Sequence, residues 1–118
     1  PNNMFLVRVD KERINQVFYN LISNAIKYAK SNITIRLSDN YNEVIVSIID
    51  DGPGIPDGQK ELVFDKFYQV KNKKLQKPDG SGLGLAISKK IIELHEKKIW
   101  IENNIPNGTN FSFNLELI

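Results

Sequence analysis

Residues 50–56, DDGPGIP, directly follow the apolar run VIVSII at 44–49. Such a run is typical of a mostly buried strand, because β-branched side chains favour extended backbone. The strand must end at 50–56, since Pro53 lacks an N–H for the ladder and the glycines tolerate left-handed angles. A carboxylate at the end of a buried strand needs a hydrogen-bond donor, and the amino group of adenine is one candidate. A tight turn with solvated aspartates needs no ligand, so this stretch alone leaves both interpretations open.

A second glycine-rich stretch, GSGLGLAI at 80–87, runs into a helical pattern. Backbone N–H groups at such a helix start, together with the helix dipole, favour bound phosphate. The spacing matches neither the dinucleotide fingerprint nor the P-loop. Together with Asp50-x-Gly52-x-Gly54, it predicts a nucleotide site with one end for the base and another for the phosphates.

Composition limits the class of protein. The chain has 118 residues, 41% hydrophobic and 25% charged, which is ordinary for one soluble globular domain spanning 1–118. It contains no cysteine, which excludes disulfides and thiolate metal sites and fits a reducing compartment. A net charge of +2 is too small to indicate nucleic-acid binding, and no apolar run is long enough to span a membrane. Because the sequence begins at Pro1, we expect a piece of a longer protein.

The pattern at 11–30 is helical, with Asp10 as its predicted N-cap. Its apolar face comprises Ile14, Val17, Phe18, Leu21, Ile22, Ala25 and Ala29. A polar stripe beside that face comprises Gln16, Asn20, Asn24 and Lys27. Amide oxygens are hard ligands that suit Mg²⁺, and a lysine is a point charge for phosphate. A plain solvated face is the alternative, and only the two glycine-rich stretches favour the functional interpretation.

The remaining pattern alternates strands and helices. An edge strand is predicted at 5–9, a half-buried strand at 33–37, a turn at 39–42 and a hairpin partner at 43–49. A short helix at 59–66 brings Phe64 and Phe67 into the core, and a longer helix continues to 96. Strands follow at 99–102 and 111–117, with a turn at Asn107-Gly108. The lysine-rich segment at about 68–80 lacks periodicity and predicts a mobile lid, although a solvated loop is the alternative.

His95 is the only histidine and lies near the end of the second long helix. A phospho-accepting role is conceivable for any histidine, but no second histidine or charged dyad accompanies this one. We therefore expect a helix-end residue with a satisfied ring nitrogen.

Five motifs now stand in a fixed order. They are Asn20-x-x-x-Asn24-x-x-Lys27-Tyr28, Asp50-x-Gly52-x-Gly54, Phe64-x-x-Phe67, Gly80-x-Gly82-x-Gly84-Leu85 and Gly108-Thr109-x-Phe111. Nearly the whole chain resembles the catalytic and ATP-binding domain of sensor histidine kinases. That family belongs to the superfamily that includes gyrase, the mismatch-repair ATPases and the heat-shock chaperones of similar fold.

The resemblance implies an α/β (α+β) two-layer sandwich, in which three helices cover one face of a mixed, mostly antiparallel sheet of about five strands. ATP and Mg²⁺ are the implied ligands. Asn20, supported by Asn24, would hold Mg²⁺, Lys27 would contact phosphate, and Gln16 would orient the attacking group or water. Asp50 would accept a hydrogen bond from the adenine amino group, with Thr109 nearby. The other implied nucleotide contacts are Tyr28, Gly52, Gly54 and Ile55 around the base and Gly80, Gly82, Leu83, Gly84 and Leu85 at the phosphates.

The resemblance also implies the partners of a bacterial two-component phosphorelay. The γ-phosphoryl group would pass to a histidine in a separate dimerisation domain that this chain lacks, and then to a response regulator. The isolated chain is expected to be a cytoplasmic monomer that binds ATP without autophosphorylation, within a homodimeric kinase that other segments could anchor to a membrane. Two positions depart from the family pattern: Glu96-Lys97 replaces a common Gly-Gly, and Gln69 replaces a common arginine.

Three other functions were weighed against this one. A gyrase-like or chaperone-like ATPase would carry a glutamate base where this chain has Gln16. An anti-sigma-type serine kinase fits the lysine-rich lid and the Gly-Leu-Gly-Leu-Ala-Ile sequence less well. A degenerate module that binds only a partner protein would not need Asn20, Asn24, Asp50 and the glycines.

Overall fold

The computed structural model describes residues 7–65, 84–103 and 107–117. In chain order, the elements are β1 (Val7–Arg8), α1 (Lys11–Tyr28), β2 (Ile33–Asn40), β3 (Glu43–Asp50), α2 (Gly84–Leu94), β4 (Ile99–Asn103) and β5 (Thr109–Leu117). Two 3₁₀ turns, Asp57–Gln59 and Leu62–Phe64, follow β3. The predicted α/β sandwich with a five-stranded sheet is confirmed.

The sheet is built around β3 and β5. β5 pairs with β3 along its whole length, from Glu43 opposite Glu116 to Asp50 opposite Thr109. Its other edge is shared by β4 and β1, while β2 pairs with the far side of β3. Every described pairing is antiparallel, so no parallel pair of the expected mixed sheet is seen in this part of the chain. The register places Asp50 and Thr109 side by side at one end of the sheet.

Helix α1 follows the predicted periodicity. Its N-cap is Asp10, whose Oδ1 accepts a hydrogen bond of 3.2 Å from the Arg13 N–H, as predicted. The buried side chains all come from the predicted apolar face: Ile14, Val17, Leu21 and Ala25. The helix ends at Tyr28 because Ala29 takes an extended conformation.

The core lies between the two helices and the sheet. Phe111 and Phe113 of β5 are fully buried under the helical layer. Edge-to-face ring contacts join Phe18 to Phe113 at 5.5 Å and Phe64 to Phe111 at 6.3 Å between centroids. Phe64 is thus the core residue that the sequence predicted, and Phe67 lies outside the described residues.

The prediction that β2 is half buried was wrong. All eight of its residues are exposed, including Ile33, Ile35 and Leu37 at 38%, 52% and 43%. These three share a face with the buried side chains of β3, because Ile35 lies opposite Ile48 and Leu37 opposite Val46. The helices pack over β3 and β5, and β2 lies beyond them at the edge of the sheet, outside the core.

Other boundaries differ by a few residues. β2 continues to Asn40, so the hairpin turn contains only Tyr41 and Asn42. The short helix predicted at 59–66 is formed by the two 3₁₀ turns. The predicted lid at 68–80, residues 5 and 6 of the predicted first strand, and residue 66 lie outside the described residues.

Candidate functional site

A cleft of about 530 Å³ opens beside α1 and the start of α2. It brings together four of the predicted site residues of the described chain with one further asparagine of the same stripe, and its lining consists of Tyr19, Asn20, Ser23, Asn24, Ile26, Lys27, Gly84 and Leu85. The predicted polar stripe of α1 therefore faces a space large enough for a small-molecule ligand. Gln16 is half buried one turn earlier on α1 and is not part of this lining.

The side chain of Asn20 joins the two helices at this cleft. Its Nδ2 donates to the Gly84 carbonyl oxygen at 3.1 Å and to the Ser88 hydroxyl at 3.2 Å. The Ser88 hydroxyl in turn donates to the Gly84 carbonyl oxygen at 2.9 Å. The contact holds the first turn of α2 against α1, beside the predicted phosphate-binding backbone. Gly80, Gly82 and Leu83, predicted to bind phosphate there, lie outside the described residues.

A second group of predicted residues surrounds Asp50 at the ends of β3 and β5. Asp50 is only 2% exposed, and its Oδ1 accepts a 2.8 Å hydrogen bond from the Gly52 N–H. Burial raises the pKa of this carboxyl, while the backbone N–H groups of Gly52 and Thr109 oppose the shift by favouring the charged form. Thr109 and Ile55 are buried beside this turn. The site thus contains a buried carboxyl at the end of a strand, as the sequence predicted.

Asp51 has a different role from its neighbour. Its carboxylate accepts hydrogen bonds from the N–H groups of Lys30 and Ser31 at 2.8 and 3.0 Å and from the Ser31 hydroxyl at 2.9 Å. These donors, with the Ser31 N–H the strongest, hold the pKa of Asp51 far below its usual range. Asp51 therefore fastens the connection between α1 and β2 to the turn that follows β3.

Tight backbone packing explains two glycines at this end of the sheet. A Cβ at Gly52 would overlap the carbonyl oxygen of Tyr28, and a Cβ at Gly108 would overlap that of Asp50. Gly108 also has a φ of +116°, which L side chains rarely adopt. The Gly52 contact brings the turn after β3 against the last residue of α1, which connects the Asp50 group to the helix that lines the cleft.

Two residues near the site were not singled out from the sequence. Ser88 is fully buried in α2 and bonded to Asn20, and the available signal was a serine on the same helix face as Ile91 and Ile92. Asn103, at the end of β4, donates from its amide to the Ile55 carbonyl oxygen and accepts from Lys60 Nζ, each at 3.3 Å. No local pattern indicates Asn103, because its partners are distant in sequence.

His95 is a helix-end residue with satisfied ring nitrogens, as predicted. Its Nε2 accepts a 3.0 Å hydrogen bond from the Asp10 N–H, so Nδ1 carries the proton and donates to the Ile91 carbonyl oxygen at 2.8 Å. Both ring positions are occupied in linking α2 to the start of α1.

The donor chemistry at the cleft consists of amides and an ammonium group. Within residues 7–65, 84–103 and 107–117, no three His, Asp or Glu side chains cluster as metal ligands. A metal ion in this part of the molecule would therefore rely on amide oxygens such as those of Asn20 and Asn24. Neither described helix combines the length and apolarity needed to cross a membrane.

Comparison with known proteins agrees with the predicted resemblance. The chain is 38% identical to sensor histidine kinase WalK of Bacillus subtilis (strain 168) over 119 aligned positions, which cover 98% of this chain and 20% of WalK. Its structure superimposes on a nucleotide-free catalytic domain of histidine kinase ThkA with a TM-score of 0.78 and 42% identity, covering 93% of this chain and 71% of that domain. ThkA in complex with the response regulator TrrA gives a TM-score of 0.79 and 39% identity over 99% of this chain and 32% of ThkA.

The chain spans about a fifth of the length of WalK, so the comparison concerns one part of a longer protein. Residues 9–118 match the family described as histidine kinase-, DNA gyrase B- and HSP90-like ATPases. The match includes both helices, the cleft and the turn around Asp50. The chain belongs to this ATPase family.

Proposed function

We propose that this chain is the ATP-binding catalytic domain of a two-component sensor histidine kinase. It binds Mg-ATP and transfers the γ-phosphoryl group to a histidine in a separate dimerisation domain. The observation that carries the proposal is the cleft in which Asn20, Asn24 and Lys27 lie against the start of α2. The buried carboxyl of Asp50, connected to the same helix through Gly52 and Tyr28, supplies a second recognition point.

The residues at the cleft suit Mg²⁺ and phosphate. Mg²⁺ prefers oxygen ligands, keeps several waters and needs few protein groups, so the amide oxygens of Asn20 and Asn24 are a sufficient set. Bound there, the ion would neutralise negative charge on the phosphates. Lys27 would add a positive charge on the same stripe, and Gln16 would orient the attacking group from the preceding turn. Catalysis would then rest on positioning and charge neutralisation rather than on covalent chemistry by the protein.

Asp50 is suited to recognise adenine. A carboxylate accepts hydrogen bonds only, and the amino group of adenine donates at the position where guanine has an acceptor. A buried acceptor left without its donor costs free energy, which penalises the wrong base. Tyr28, Gly54, Ile55 and Thr109 would complete the surroundings of the base.

The proposal extends to partners and location. The single domain over 1–118 would act as a monomer by itself and within a homodimer in the full kinase, on the cytoplasmic side where ATP is available. A response regulator would be the final phosphoryl acceptor, as the ThkA complex with TrrA suggests by analogy. The isolated chain would bind ATP but would not phosphorylate itself, because its only histidine, His95, is committed to Asp10 and Ile91.

The test is calorimetric titration of the chain with AMP-PNP, with and without Mg²⁺, and with a GTP analogue as the control ligand. We expect adenine-selective binding that Mg²⁺ strengthens. Asp50→Asn should weaken AMP-PNP binding by roughly 10- to 100-fold, the range for losing a hydrogen bond to a charged group. Asp39→Asn, an identical change on the exposed strand β2, should leave the affinity unchanged.

Two results would contradict the proposal. Equal affinity for the two analogues, or an unchanged affinity in Asp50→Asn, would remove the base site. No binding at millimolar nucleotide would favour a module that only recognises a partner protein. Autonomous hydrolysis of ATP would instead favour a gyrase-like or chaperone-like ATPase, despite Gln16.

A further inference from the structure

We propose that Ser88 is a positioning residue that fixes which end of the Asn20 amide faces the cleft. The magnesium part of this inference rests on the proposed function, whereas the orientation of the amide does not. Ser88 lies in α2 and is fully buried, and it touches Asn20 from the side opposite to solvent. Its hydroxyl is the only side-chain group within the described residues that bonds to the Asn20 amide.

The proton of the Ser88 hydroxyl is already used. It donates to the Gly84 carbonyl oxygen, one turn earlier in the same helix, at 2.9 Å. Only the lone pairs of Oγ remain, so toward Asn20 the hydroxyl acts as an acceptor. The Gly84 carbonyl oxygen is likewise an acceptor. Asn20 therefore faces two acceptors, at 3.1 and 3.2 Å, on the α2 side.

Two acceptors determine the orientation of an amide. Only the NH₂ end of Asn20 can satisfy them, and the rotated amide would place Oδ1 directly against the Gly84 carbonyl oxygen. Oδ1 must then point away from α2. Across the described part of the chain, Oδ1 accepts no hydrogen bond, which leaves its lone pairs available to a cation in the cleft.

The consequence concerns metal binding rather than folding. An amide that turned freely would present its NH₂ end to a cation for part of the time, and that end repels the ion. Groups that hold a ligand in its productive orientation affect metal affinity strongly, by roughly 10- to 100-fold when they are removed. Ser88 supplies such a hold without touching the metal or the nucleotide.

The first experiment needs no ligand. In Ser88→Ala, the Gly84 carbonyl oxygen remains as an acceptor but the second one is lost. We expect the side-chain NH₂ signals of Asn20 in a ¹⁵N–¹H NMR spectrum of the 118-residue chain to shift and to exchange faster with water. Unchanged signals and exchange would overturn the proposal, whatever the chain binds.

The second experiment measures the ratio of AMP-PNP dissociation constants without and with Mg²⁺. Ser88→Ala should lower this ratio by roughly tenfold and leave binding without Mg²⁺ within about twofold of the wild type. Ser47→Ala, which removes another buried hydroxyl, bonded at 2.9 Å to that of Ser112, should leave the ratio unchanged. In an Asn20→Ala background, Ser88→Ala should have no further effect on the ratio.

The outcomes separate the two proposals. A normal Mg²⁺ ratio in Ser88→Ala, or an equal loss in Ser47→Ala, would overturn the role of Ser88. If the wild-type chain bound no nucleotide, the proposed function would fail, and the NMR measurement alone would decide the orientation of Asn20.

Discussion

Replacing Glu96 with glycine should stabilise the protein, although the residue is exposed. Glu96 follows the end of α2 with a φ of +59°, in the left-handed region. The Lys97 N–H bonds back to the Ile92 carbonyl oxygen at 3.1 Å, a pairing typical of a helix end that turns through a glycine. The conformation is therefore held by the helix end rather than by the side chain of Glu96.

The size of the effect follows from two opposing contributions. A left-handed conformation costs an L-residue about 1–2 kcal/mol, which glycine avoids. Glycine also gives the unfolded chain more freedom, which costs about 0.4–1 kcal/mol. We expect a net gain of about 0.5–1 kcal/mol for Glu96→Gly. For a domain of this size, that gain raises the melting temperature by about 2–6 °C.

Glu93→Gly is the matched control. Glu93 is an exposed residue in the last turn of the same helix, so the change removes the same charge at nearly the same place. Glycine in a helical position should destabilise the protein by about 0.5–1 kcal/mol. Urea unfolding of the two variants should therefore give shifts of opposite sign. If both variants were destabilised, the explanation based on the backbone of Glu96 would be wrong.

Three further changes test the packing and the two aspartates. Because the pKa of Asp51 is lowered in the folded protein, its carboxylate stabilises the fold above about pH 4, and that contribution is lost as the pH falls toward the folded pKa. Asp51→Asn should lower the melting temperature at pH 7 and flatten its decline below pH 4, and an unchanged pH profile would contradict this. Because burial raises the pKa of Asp50, its charged form opposes folding, so Asp50→Asn should raise the melting temperature of the nucleotide-free protein at pH 7 and lose that gain below about pH 4. A lower melting temperature at pH 7 would refute the sign. Leu21→Ala removes a fully buried side chain and should cost about 2–5 kcal/mol in urea unfolding, whereas Leu62→Ala, 45% exposed, should cost much less; equal costs would contradict the described core.

Features with local signals could be predicted from the sequence. The apolar period of α1 and the carboxyl of Asp10 identified that helix and its first turn. The branched run before Asp50 identified β3, and the clean alternation after residue 110 identified β5. The buried position of Asp50 also followed locally, because a carboxyl that ends a buried strand is buried with it.

Features that depend on distant partners could not be predicted. The exposure of β2 depends on which strands lie beneath the helices, and its alternation resembles that of a covered strand. Ser88 gained importance only when α2 was placed against Asn20. Gly52 suggested a close approach of ligand, and packing against the Tyr28 carbonyl oxygen is a second reason for glycine there. The positive φ of Tyr41 and Glu96 was hidden because neither residue type favours it.

The order of the strands has a consequence for how the chain folds. β3 acquires its second neighbour only from β5, and β1 pairs with β5 from the opposite end of the described chain. The aromatic residues that close the core, Phe111 and Phe113, also belong to β5. During synthesis, therefore, the hairpin of β2 and β3 and helix α1 must wait, with their apolar surfaces uncovered, until the last strand has left the ribosome. Such non-local pairing makes folding slow, and truncation within β5 removes the centre of the sheet rather than its edge.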